Sequence, residues 1–80
     1  MSTQPVGAKT VVALGESARL EGYALAGVIV KVAESADEVL DRWVTLDPHV
    51  GVVLLTLRSA EALGARIEAP GAPMTVVLPE

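Results

Sequence analysis

Gly15-Glu16-Ser17-Ala18 follows an apolar run and precedes a helical pattern, the place where a doubly wound domain presents its ligand loop. A phosphate-binding loop there carries G-x-G-x-x-G or G-x-x-x-x-G-K-[ST], because glycines expose backbone N–H groups and a lysine meets the charge. This loop has one glycine and no basic residue in the motif's place, and the Glu16 carboxylate would repel a phosphate. A plain turn between strand and helix accounts for it. His49 is the single histidine and the chain has no cysteine. That excludes disulfides, a thiolate nucleophile and cysteine-based metal spacing, and one histidine without partners holds no metal. No serine, histidine and acid form a nucleophile arrangement, so His49 reads as a loop residue behind Pro48.

Asp37, Glu38 and Asp41 lie close together, as paired carboxylates for acid–base work would. Favourable charge at a helix N-terminus and a solvated face explain all three. Trp43 fits an apolar stripe. Tyr23 can pack on a sheet with its hydroxyl at the rim. Thr56-Leu57-Arg58 ends the third apolar run, again at the functional end of such a sheet, and Arg58 suits either a carboxylate on a partner or a solvated position. No constellation amounts to a catalytic, cofactor or metal site.

Four short apolar runs must position these residues: Thr10–Leu14, Val28–Val32, Val50–Leu57 and Thr75–Leu78. None alternates polar with apolar, so they predict strands buried on both faces, hence a parallel sheet. Lys31 marks the second run as an edge strand, and Pro73 and Pro79 mark the fourth as the other. Ser35-Ala36-Asp37-Glu38 has capping-box form ahead of an apolar stripe, Ala36, Val39, Leu40, Trp43 and Val44. Ser59 is the expected cap of a later helix with a narrow face of Ala60, Leu63, Gly64 and Ile67. A first helix is expected over 17–26, with Gly22 inside it and Gly27 at its C-terminal end. The order β-α-β-α-β-α-β predicts a small doubly wound, Rossmann-like three-layer α/β sandwich. Its expected four-stranded parallel sheet has order 2-1-3-4. Residues 1–9 read as a loose lead-in and 10–80 as one domain.

The chain has 80 residues, a net charge of -4 and 51% apolar residues. Its six basic residues are dispersed, so nucleic acid is not the expected partner. The high apolar share suits either a sheet covered on both faces or a domain that keeps a docking face. No apolar run approaches the roughly twenty residues of a membrane span, and the start shows no secretory pattern, so no direct membrane insertion is expected.

The run Val11–Val30 resembles the opening of the F subunit of V-type and A-type rotary ATPases. That family shows a hydrophobic strand, a Gly-acid turn and a Gly-aromatic-x-Leu-Ala-Gly stretch. Gly15-Glu16 matches the turn. Gly22-Tyr23-Ala24-Leu25-Ala26-Gly27 matches the stretch, with tyrosine in place of the usual phenylalanine. Val50–Thr56 and the proline-framed Pro73–Pro79 extend the likeness across nearly the whole chain. The resemblance implies a non-catalytic central-stalk subunit of an ATP-hydrolysing or ATP-synthesising complex, without a cofactor. It would be cytoplasmic and peripheral to the membrane-bound machine, helping couple nucleotide turnover to proton or other ion transport. The implied partners are a coiled-coil stalk subunit, the D type in that family, and the catalytic head. The family continues past its last strand into a flexible segment and a C-terminal helix, whereas this sequence stops at Glu80. Arg19, Tyr23 and Arg58 are the expected partner-binding residues, from their place near the strand ends. The alternative is a stand-alone regulatory or adaptor module of receiver-like or nucleotide-binding type. A receiver needs an acidic cluster at the ends of the first and third strands and a late lysine; here Glu16 is alone and no lysine follows Lys31.

Overall fold

Each β-branched run forms a strand in the computed structural model, which describes residues 10–79. The order is β1 (Thr10–Gly15), α1 (Ser17–Leu20), β2 (Ile29–Val32), α2 (Ala36–Val44), β3 (Val50–Leu55), α3 (Leu57–Leu63) and β4 (Met74–Val77). Two 3-10 turns, Tyr23–Ala26 and Gly64–Glu68, follow α1 and α3. All neighbouring strands pair in parallel, in the order β2-β1-β3-β4. This is the predicted small doubly wound α/β sheet, with β1 and β3 central and β2 and β4 at the edges. The expected lead-in, 1–9, lies outside the described residues, as does Glu80. Among the described residues no helix is long and apolar enough to cross a membrane.

Register assigns the faces. Val12 lies beside Ile29 and Val53, and Leu14 beside Lys31 and Leu55, so these residues share one face. Leu14, Val53 and Leu55 join Ala33, Val39 and Leu63 in the core, with Leu40, Trp43 and Ile67 packed against it. The right-handed rule for parallel crossovers places α2 and α3 on this face and α1 on the other. On that second face Ala13 and Leu20 are buried, but Met74 and Val76, in register with Val52 and Leu54, stay 67% and 45% exposed. The expectation of strands buried on both faces therefore holds for the centre and fails at both edges, where Ile29 and Val32 of β2 and Val77 of β4 are exposed as well. On the second face the covering helix, α1, has only four residues and packs against β1 and β2.

Three local expectations need correction. The helix expected over 17–26 breaks in two, because Gly22 takes a left-handed φ of 91° and starts the 3-10 turn that Gly27 closes at φ 84°. The third helix begins at Leu57 rather than after Ser59; Thr56 is its cap and Ser59 is fully buried inside it. The stripe on α2 buries Val39 and half-buries Leu40 and Trp43, but leaves Ala36 exposed and Val44 72% exposed at the open last turn. Gly64 likewise stays exposed, while Leu63 is buried and Ala60 and Ile67 are half-buried as expected.

Candidate functional site

The C-terminal ends of β1 and β3 converge on Gly15, Glu16 and Thr56. The backbone here is a continuation of the sheet: Thr56 N–H donates to Leu14 C=O at 3.3 Å and Ala33 N–H to Gly15 C=O at 2.9 Å. Gly15 is required by close approach. A Cβ at this position would stand 2.9 Å from Thr56 Cβ and closer still to its Oγ1 and Cγ2. With only hydrogen on Gly15, the Thr56 side chain fits over the end of β1 and reaches Glu16.

Thr56 organises the site. Its hydroxyl donates to Glu16 Oε1 at 2.5 Å. Its oxygen also accepts from Ser59 N–H at 3.3 Å, capping α3, and lies 3.0 Å from Ser59 Oγ. A hydroxyl has one proton to give. With the Thr56 proton directed to a carboxylate, the Ser59 hydroxyl is the donor in the third contact. Both hydroxyls are buried and both are satisfied.

Burial pushes the Glu16 carboxyl upward, but the Thr56 hydroxyl, a backbone N–H and the charges of Arg58 and Arg19 outweigh it and hold the group below its ordinary value. Glu16 is therefore the anion of the site, with two guanidinium groups near it. Arg19, Tyr23 and Arg58 were expected at the rim from sequence, and the structure brings all three around one hollow of about 60 Å³, with Leu57, Leu78 and Pro79. A second hollow of about 90 Å³ lies on the other side of Glu16 and Arg58, beside Glu34 and Ser35. Small-molecule sites run to about 300–1,000 Å³, so either hollow accepts a protruding side chain or a few waters rather than a nucleotide.

The other half of the rim is held by Glu34, which sequence reasoning did not single out, and by Glu38 of the expected capping box. Glu34 Oε2 accepts from Ser17 N–H at 3.2 Å, tying the start of α1 to the end of β2. Glu38 N–H donates to Ser35 Oγ at 3.2 Å, as the capping box predicts, but the Glu38 carboxylate takes the N–H of Glu34, at 2.8 Å, one residue before the cap. The spacing from Ser35 to Glu38 carried the first signal; the second bond depends on the bend of the chain at Glu34.

The remaining motif positions serve backbone shape. Gly22 and Gly27 bracket the 3-10 turn, Ala26 is exposed on it, and the Leu25 side chain lies outside the described residues. Asp37 and Asp41 are exposed on α2, and Asp41 pairs with Arg42 at 2.8 Å. His49 is exposed in the loop before β3 and bonds Asp47 through both its backbone N–H and its ring, which lowers the Asp47 carboxyl. Neither belongs to the rim around Glu16. Among the described residues no three His, Cys, Asp or Glu side chains gather as a metal-binding group. Compared with models of protein families and with curated proteins, the chain matches none.

Proposed function

We propose that this domain is a docking module without chemistry of its own, and that it serves as the central-stalk subunit of a V/A-type rotary ATPase or ATP synthase. The resemblance in Gly15-Glu16 and Gly22–Gly27 supplies the family. The observation that carries the docking reading is the meeting of Arg19, Tyr23 and Arg58 around Glu16 at the functional end of the sheet. Arginine forks recognise carboxylates in two-point fashion, and tyrosine buries a large ring at little entropic cost. Beside them Leu57 is 41% exposed, giving the rim an apolar contact. A coiled coil with an acidic residue flanking its apolar seam complements such a rim, and the coupling to ion transport would come from turning with it.

The test is calorimetric titration of the chain with a purified coiled-coil stalk subunit of the D type. Binding that weakens at least tenfold in the Arg58→Glu variant, with the fold unchanged by circular dichroism, supports the reading. No heat at tens of micromolar, or binding indifferent to Arg58, Tyr23 and Arg19 together, overturns it. Heat with ATP, GTP or acetyl phosphate and Mg²⁺ would favour the receiver-like alternative instead.

A further inference from the structure

A roomier cavity lies at the opposite end of the molecule, away from Glu16. It measures about 620 Å³, within the range of small-molecule sites. Its origin is the shortness of α2. Nine residues cover β1 and part of β3 but leave the β2 edge of the same sheet face open, with Ile29 46% exposed. Val12, Ile29, Leu46 and Val50 therefore make an apolar lining between the β2 edge and the end of α2.

Two cations, Lys31 and Arg42, and one carboxylate, Asp47, line the cavity. Lys31 lines it from β2, in register with Leu14 and so on the face toward α2, and its ammonium has no hydrogen bond or ion pair among the described residues. Arg42 lines it from α2 and uses Nη1 on Asp41, which leaves the other donors of its fork. Asp47 keeps its negative charge, and its Oδ1 meets the His49 backbone N–H and ring at the mouth of the cavity, so the lining sets two cations against one anion. A part-apolar hollow with two cations from facing elements against one carboxylate favours an amphiphilic anion. We infer that this cavity binds a small amphiphilic carboxylate, its apolar body against Ile29, Leu46 and Val50 and its carboxylate between Lys31 and Arg42. The inference is independent of the stalk reading, since none of these residues belongs to the rim.

The experiment is an NMR titration of the full chain, methyl- and amide-labelled, with sodium octanoate, and with 1-octanol and acetate as probes lacking the charge or the tail. The expected result is saturable shifts confined to the methyls of Val12, Ile29, Leu46 and Val50. Octanol and acetate should each bind about tenfold more weakly, and Lys31→Gln should weaken octanoate about five- to tenfold, the size of one partly screened charge-assisted contact. Ile29→Asp, on the exposed edge, should abolish binding while leaving the amide spectrum of the core unchanged. Shifts that rise without saturation, that spread equally to Met74 and Val76, or that ignore Lys31→Gln would overturn the inference. So would contacts from residues 1–9 to the Ile29 and Leu46 methyls in the unliganded protein.

Discussion

The Thr56 hydroxyl donates to the Glu16 carboxylate at 2.5 Å across 40 positions of sequence, joining the loop after β1 to the cap of α3. One side chain thus closes the ends of the two central strands, starts a helix and fixes an anion between Arg19 and Arg58. Removing it should be felt in stability. Thr56→Val keeps the shape and loses both the cap and the bond to Glu16, a cost of about 1–2 kcal/mol. Thr56→Ser should retain most of the difference. Urea unfolding of the three proteins checks this, and equal midpoints for Val and Thr would show that the hydroxyl carries no stability.

Gly15→Ala should destabilise by about 1–3 kcal/mol, since the new methyl meets Thr56 rather than open space. Truncating Thr56 to alanine removes its Oγ1 and Cγ2, the two nearest atoms, and should relieve part of the clash. In a double-mutant cycle, Gly15→Ala with Thr56→Ala should cost less than the sum of the single changes. Additive costs would mean that the Thr56 Oγ1 and Cγ2 do not set the penalty.

The pH dependence follows from Glu16. Its folded carboxyl lies below the ordinary value of 4.5, so the unfolded chain binds the proton more tightly. The contribution to stability is complete above 4.5 and is lost as pH falls through the lower folded value. Asp47, lowered from 3.8 by His49, adds a loss in the same direction from an exposed loop. Urea midpoints measured from neutral to acidic pH should hold steady and then fall in this window. Glu16→Gln should fall less steeply there; a curve parallel to that of the parent protein would contradict the assignment.

Gly22→Ala should cost about 1–2 kcal/mol, because its φ of 91° lies in the region that disfavours a side chain although nothing crowds the position. Thermal unfolding tests it. A neutral result would show that the 3-10 turn rearranges freely, which would also remove the geometric basis for placing Tyr23 beside Arg19 and Arg58.

The sheet was readable because each strand is an unbroken β-branched run, with Lys31 and the flanking prolines setting the edges. The joints were harder. Thr56 reads as the last residue of an apolar strand, so its role as a cap was hidden and Ser59 stood in its place. The stripe of Leu20, Tyr23 and Ala24 continues in helical spacing across Gly22, so periodicity alone did not reveal the break. The rim of Arg19, Tyr23 and Arg58 followed from strand order, because a parallel sheet brings the residues after β1 and β3 together. The bond from Glu16 to Thr56 did not follow. It depends on the register of β1 against β3, which shifts between Thr10 and Val11 and has no signature in the residues.

The two borders of the sheet are unlike in what they permit. β2 carries Lys31, which discourages a neighbour, whereas β4 is Met74-Thr75-Val76-Val77, uncharged and open on both sides. Pro73 and Pro79 have no N–H to offer and bracket it closely. A foreign strand laid along this border would find only a four-residue window before the ladder ran out. Growth of the sheet is thus confined to one side and stopped after one short step, a safeguard against fibre formation set by the placement of two imino acids.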